Sequence, residues 1–366
     1  MLHLLVPKGF STRPSGGNIY DRHVLAGLVT GGWQVVAHEV DVESTRGDSR
    51  PLERARGDSR PLAPAQGDTR PVEPKRGDAA VAEVSRVLAR LPHHSLVLVD
   101  SLVASRTAAV LLASAARVVP LVHMVFGTPL ERELLTEAPA VVATSAWTAD
   151  HLVTRLGVDP RRVHVATPGV DLAPHSPGSV AGTELACVAA LTPTKGHDVL
   201  LDALAMLTDL DWRCSVVGSL DVDPEHVDTL RKQAADQGIN ERVDFVGELV
   251  GEELSEAWSR TDLLVLPSRA ETYAMVVTEA LARGVPVVAS AVGGVPEALG
   301  ELVDGRHPGM LVRPDDPFAL SVALRRWLED EPLRRWLRRA AGDRRPSLHR
   351  WSLTAAHVAR ALESAR

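Results

Sequence analysis

Between residues 263 and 289 two short apolar runs enclose one helical stretch, and no other segment restricts the fold as much. Leu263-Leu264-Val265-Leu266 is a buried strand that Pro267 closes, residues 273–283 follow helical spacing, Gly284 stops the helix, and residues 285–289 form the next buried strand. Strand, loop, helix, strand in so few residues is the unit of a parallel sheet covered by helices. In such sheets ligands bind beyond the carboxyl ends of the strands, where helix N-termini attract anions. Glu271 falls on that ligand-side loop, and Glu279 follows with seven residues between them.

A mostly helical segment sets Glu279 two turns into the helix and about 12 Å from Glu271, comparable to the span from one sugar ring across a diphosphate to another. Carboxylates accept charge-assisted hydrogen bonds from sugar hydroxyls. The stretch from Ser268 to Ser290 resembles the donor-site signature of the retaining family-4 glycosyltransferases, and Val292-Gly293-Gly294-Val295-Pro296-Glu297 is similar to the block that follows it there. The plain alternative, a surface helix with two solvated glutamates, leaves the joint match of spacing, flanking strands and Gly-Gly motif unexplained. The resemblance covers nearly the whole chain. It implies an α/β protein of the GT-B class, with two Rossmann-like doubly wound domains facing a cleft and a C-terminal helix crossing back to the N-terminal domain. It also implies that Glu271 holds the transferred sugar and Glu279 the nucleotide ribose.

The rest of the chain has the same rhythm. Residues 3–6, 34–38, 96–99, 118–124 and 140–143 read as strands, and 21–30, 79–90 and 107–116 as helices. The second half repeats the alternation, with strands at 185–191, 212–217 and 243–246 and helices at 197–207, 225–237 and 252–259. The expected domains are 1–171, a Pro/Ser/Gly-rich linker at 172–182, a donor domain at 183–346, and a last segment at 347–366 returning to the N-terminal domain. Residues 46–78 interrupt the first domain with a ten-residue repeat: Arg46-Gly47-Asp48, Arg56-Gly57-Asp58 and Arg76-Gly77-Asp78 recur, with Gln66-Gly67-Asp68 between. The units have almost no apolar surface to bury, so a disordered surface loop is expected there.

A net charge of −7 argues against a nucleic-acid partner. Cys187 and Cys214 lie in apolar runs and read as inert buried thiols. The N-terminus reads as a first strand without a basic leader, and no run approaches a membrane span. A cytoplasmic location follows as an expectation, which leaves room for weak peripheral contact with a membrane.

Site candidates follow the first strand of each half. Pro14-Ser15-Gly16-Gly17-Asn18 precedes a helix, and its glycines let backbone amides approach a polar ligand; a tight turn without a ligand is the alternative. The resemblance implies that Gly16 and Gly17 border the donor phosphates and the acceptor. His123 ends a strand on its functional side; a lone histidine is often structural, but the resemblance places it near the sugar's primary hydroxyl. Thr192-Pro193-Thr194-Lys195-Gly196 resembles the phosphate-gripping element, with Lys195 as its charge and Gly196 allowing close approach. Backbone donors are expected at Ala274, Met275 and Val276. Two positions depart from the family. Ala190 stands where an arginine is usual, leaving Arg269 or Arg13 as substitutes, and Ala274 stands where glycine is usual. Asp221-Val222-Asp223 looks like a metal motif of another fold, but Asp223-Pro224 reads as a helix cap, and no metal site is expected.

The function expected on these grounds is metal-independent transfer of a sugar from a nucleotide-diphosphate donor with retention, with His123, Glu271 and Lys195 central. The nucleotide sugar is a co-substrate, no further cofactor is implied, and the acceptor, whether small molecule, lipid or glycan, is not encoded. An inactive nucleotide-sugar-binding GT-B protein and a GT-B epimerase remain as alternatives. A phosphorylase is disfavoured because no pyridoxal lysine is signalled, and an NAD enzyme because G-x-G-x-x-G is missing.

Overall fold

A computed structural model describes residues 1–42 and 77–366. The ten-residue repeats lie outside the described residues, apart from the backbone of residues 77 and 78. The chain forms two compact units, one of residues 1–144, 149–166 and 355–366, the other of residues 145–148 and 167–354.

In the first unit six strands, β1 (Leu2–Pro7), β2 (Val35–Val40), β3 (Leu96–Asp100), β4 (Arg117–Val122), β5 (Val141–Ala143) and β6 (Val163–Val165), form a parallel sheet in the order β2-β1-β3-β4-β5-β6. Its helices are α1 (Gly16–Thr30), α2 (Gly77–Leu88), α3 (Ser101–Leu112), α4 (Pro129–Glu137) and the second half of α5 (Ala146–His151). β1 and β3 are buried along their whole length because helices cover both faces, whereas β2, at the edge, is largely exposed. The strand order reverses between β1 and β3, which opens a crevice at their carboxyl ends. The last residues of the chain are fastened to this unit: Arg117 donates to the carbonyl of Ala365 at 3.1 Å, and the Arg366 guanidinium lies 4.4 Å from the Trp33 ring centroid.

The second unit contains β7 (Glu184–Val188), β8 (Arg213–Val217), β9 (Val243–Gly247), β10 (Leu263–Leu266), β11 (Val287–Ser290) and β12 (Gly309–Val312), parallel in the order β12-β11-β10-β7-β8-β9. Its helices are α6 (His197–Ala205), α7 (Pro224–Asp236), α8 (Gly251–Arg260), α9 (Met275–Ala282), α10 (Val295–Leu299), α11 (Pro317–Glu329) and α12 (Glu331–Arg344), and α13 (Trp351–Ser364) follows, belonging to the first unit from residue 355 onward. Alternation along β10 sorts its side chains: Leu263 and Val265 join a core with Trp212 and Trp327, while Leu264 and Leu266 join one with Trp258 and Leu281. The switch point lies between β7 and β10. α11 and α12 are two helices rather than one, because Asp330 ends α11 and caps α12 by accepting from Leu333 N–H at 2.9 Å, with Pro332 in the first turn. Residues 172–182 are tied down, with Ser176 Oγ donating to the carbonyl of Trp258 at 2.7 Å and Ser179 Oγ donating to Asp262 at 2.5 Å. Both cysteines are free and buried, and burial pushes the Cys187 thiol up to about 12. Among the described residues no helix is long and apolar enough to cross a membrane.

Candidate functional site

Two loops meet at the switch point of the second unit. The turn after β7 carries Lys195 and Gly196; the loop after β10 carries Ser268 and Glu271. Their side chains converge on one oxygen, since Glu271 Oε1 accepts from Lys195 Nζ and from Ser268 Oγ, both at 2.7 Å. Ser268 is fully buried, the Glu271 side chain is 10% exposed and that of Lys195 28%. Lys195 is therefore neither a solvated lysine nor a lone charge awaiting a phosphate, because it is paired at rest.

Both loops lead into helices through left-handed residues. Gly196 has φ +69°, and a Cβ there would sit 2.2 Å from the carbonyl oxygen of Pro267, so only glycine fits. Ala274 adopts φ 71°, ψ 71° in front of α9. Left-handed backbone is thus held at this position by a residue that disfavours it. Neither α6 nor α9 has a side-chain cap, whereas aspartates cap α7, α11 and α12. Met275 and Val276 open α9, and the Val277 amide turns back to the carbonyl of Ala274 at 3.0 Å. Two uncapped helix starts beside a paired lysine form an anion-binding arrangement.

The Gly-Gly motif underpins the Glu271 loop. A Cβ at Gly293 would lie 1.6 Å from the Glu271 carbonyl oxygen, and one at Gly294 would lie 2.2 Å from that of Thr272. Only two consecutive glycines let this backbone lie against the other, and the Gly294 amide donates to the Glu271 carbonyl at 3.2 Å. Glu297 secures the far side by accepting from the amide of Ala146 at 2.8 Å, while Ser145 Oγ donates to the carbonyl of Thr272 at 2.6 Å.

Two expectations need correction here, the start of the helix after Glu271 and the place of Gly16 and Gly17. The helix after Glu271 begins at Met275 rather than 273, because the left-handed Ala274 breaks it, so Glu279 stands one turn in rather than two. Burial raises the Glu279 carboxyl above its ordinary value, partly offset by Arg283. Arg269, one of the two substitutes considered for the arginine missing at Ala190, is engaged at rest: its guanidinium is bidentate on Asp198 at 2.8 and 2.6 Å, and reaches Asp315 at 2.5 Å. Burial works against the Asp198 charge, yet Arg269 holds that carboxyl below its ordinary range. Gly16 and Gly17, read as a loop, are the first two residues of α1, which starts early because Ser15 Oγ caps it by accepting from Asn18 N–H at 3.2 Å. Asp223 caps α7, as its sequence context implied.

The first unit gathers a second cluster at its own switch point. His123, directly after β4, places Nε2 2.9 Å from Asp21 Oδ1 and 3.5 Å from Asp100 Oδ2. Asp21 comes from α1 and is fully buried; Asp100 ends β3, caps α3 through Leu102 N–H at 2.6 Å, and turns its other oxygen to the histidine. Tyr20 meets the His123 ring edge-on at 4.9 Å, and a Cβ on Gly17 would lie 3.4 Å from His123 Cδ2. Gly17 thus lies beside the ring, with room for no more than ordinary contact. Burial, and then the Asp21 carboxylate, push Asp100 up to about 7. Burial works against a charged imidazole, but the two carboxylates outweigh it and hold His123 above the usual histidine range. One atom from each of the three residues lies within 4.8 Å of the others, spacing that would suit a cation. The imidazole nitrogen and the carboxylates already face one another there, Asp21 at hydrogen-bond distance. Sequence reasoning missed Asp21 and Ser268. Asp100 had a signal, a polar residue at the carboxyl end of an apolar run.

Two six-stranded parallel sheets, each with reversed strand order and polar residues at the switch point, define the protein as GT-B in class. Among solved structures, sucrose-phosphate synthase from Thermosynechococcus elongatus aligns over 98% of this chain and 97% of its own with a TM-score of 0.76 at 21% identity. Anabaena HepE in complex with UDP and glucose aligns over 99% of both chains with a TM-score of 0.71 at 18% identity. The family described as Glycosyltransferase Family 4 matches residues 15–174, and that described as Glycosyl transferases group 1 matches residues 181–344. D-inositol 3-phosphate glycosyltransferase 1 of Catenulispora acidiphila is 35% identical over 221 residues, 55% of this chain and 51% of that protein. The counterpart from Frankia alni is 34% identical over 253 residues, 64% of this chain and 61% of that protein. The chain spans about half the length of the first curated relatives it matches. It belongs to the family-4 glycosyltransferases.

Proposed function

We propose that this chain transfers a sugar from a nucleotide-diphosphate donor to a hydroxyl acceptor, with retention and without a metal. The observation that carries the reading is the Lys195–Glu271 pair between the uncapped starts of α6 and α9. A diphosphate arriving there meets Lys195 and the amides of Met275 and Val276, which stabilise the charge that develops on the leaving group. As Lys195 turns to the phosphate, Glu271 is released to accept from sugar hydroxyls, with Ser268 still fixing its carboxylate. Glu279 receives the ribose hydroxyls, whose donors would offset the burial that raises its carboxyl. His123 holds the sugar's primary hydroxyl. No carboxylate is assigned as a nucleophile, so the acceptor hydroxyl attacks the face the leaving group vacates and a departing phosphate oxygen takes its proton. Inositol phosphates are the acceptors to try first, given the relatives' names.

A thermal-shift screen against UDP-, GDP- and ADP-sugars tests this, with Glu279→Ala alongside. Ligand at about 100 times Kd adds about 2.7 kcal/mol to stability. A rise with one nucleotide class that disappears in the variant is expected; no rise with any would remove the donor assignment. A second reading, binding without turnover, is favoured by Ala190 together with the engaged Arg269, and a binding-positive protein that never releases the nucleotide from its sugar would establish it.

A further inference from the structure

The cluster around His123 is built more elaborately than a sugar-binding histidine needs. A ring that only accepts or donates one hydrogen bond requires no second carboxylate, yet two converge on the same nitrogen. The backbone fixes the arrangement from several directions. Asp100 cannot swing away, because its Oδ1 caps α3. The His123 amide donates to Ser101 Oγ at 3.2 Å, which sets the start of the loop. The Tyr20 hydroxyl donates to the carbonyl of Ala166 at 2.7 Å, and its ring meets the histidine edge-on. Asp21 and Tyr20 from α1 and Asp100 from β3 are titratable groups that face the imidazole, and Asp21 Oδ2 is buried with no hydrogen-bond partner among the described residues. An unpartnered carboxylate oxygen in such a place is costly unless a positive charge stands beside it.

We propose that Asp21 and Asp100 are positioning residues that fix His123 as an imidazolium, its Nε2–H shared between the two carboxylates, so that the ring meets the substrate as a donor and never as an acceptor. The proposal rests on the reading of His123 as a sugar-site residue. The chemical consequence is selectivity for a substrate oxygen that can accept: a hydroxyl lone pair, or an oxygen gaining negative charge, rather than an N–H or ammonium group. Proton count is conserved throughout, because the shared proton stays between the three side chains and none passes to the substrate.

The test uses the full chain with nitrogen-15-labelled histidine, following the ring resonances from pH 5.5 to 9, with His123→Gln to assign the signal. In the unaltered protein the His123 midpoint should lie above the ordinary value of about 6.5. Asp21→Asn should lower it by about one unit or more, and Asp100→Asn should lower it less, being the more distant partner. An unchanged midpoint in both variants, or a neutral His123 at pH 7, would overturn the proposal. Hydrolysis of UDP-glucose, GDP-mannose and ADP-glucose over the same range gives the second readout. Asp21→Asn should move the alkaline limb of kcat to lower pH with KM little altered, and Asp21→Glu should restore part of it. A loss equal at every pH would mark a merely structural role and count against the proposal. If none of the donors turns over, the enzyme reading fails for them, and the titration still decides the proton arrangement.

Discussion

Ala274 shows how a single methyl group bears on this site. It occupies left-handed backbone, buried against the core that contains Val277 and Leu281. The conformation costs about 1–2 kcal/mol for an L-residue, and burial of the methyl returns about 0.8 kcal/mol. Ala274→Gly is therefore expected to shift stability by less than about 1 kcal/mol, and Ala274→Val to destabilise by about 1–3 kcal/mol, both read from urea unfolding; an equal loss in the two would show that φ is not the controlling variable. At Gly196 a methyl has no such compensation, since it would meet the Pro267 carbonyl oxygen. Gly196→Ala should lose at least about 1 kcal/mol and the nucleotide-sugar thermal shift together.

At the scale of elements, the loop after β10 depends on parts distant in sequence. Gly293 and Gly294 lie against its backbone, and Glu297 anchors the start of α5, which in turn places Ser145 on the Thr272 carbonyl. Glu297→Ala should cost about 1–2 kcal/mol, as loss of a helix cap does, and should weaken donor binding through a loop it does not itself belong to. A thermal shift that survives unaltered would separate the anchor from the site. The strands and the Glu271 loop were legible because buried parallel strands are continuous apolar runs bounded by proline and glycine. The start of α9 was not, since nothing in Tyr273-Ala274-Met275 announces a left-handed alanine; the true start of α1 was hidden because two glycines read as loop although Ser15 caps them. Asp21 was illegible for another reason: its partner lies 102 positions away, and only the strand order β1-β3-β4 brings them together.

Across the whole molecule, two buried groups give stability opposite dependences on pH. Burial, and then His226, lower His197 to about 4, and neither ring nitrogen has a hydrogen-bond partner. Its folded value lies below the unfolded one of about 6.5, so its contribution is intact above that pH and is lost as acid approaches 4, up to about 3 kcal/mol. In the His123 cluster Asp100 is raised to about 7, so the proton that the three side chains share is held in the folded state above the unfolded carboxyl value, and the cluster's contribution falls as pH rises from about 4 to 7. His197→Leu should therefore gain in melting temperature relative to the unaltered protein as pH is lowered from 7.5 to 5; a constant difference would mean that His197 is not neutral and buried. The Lys195–Glu271 pair has a kinetic counterpart. A site that cancels its own charge before a ligand arrives, in a chain of net charge −7, exerts little long-range pull on a doubly negative donor, because screened attraction fades within about 8 Å at physiological salt. Capture then proceeds by unguided collision followed by a local exchange of partners, and the association rate measured by stopped flow should change little between low and moderate ionic strength.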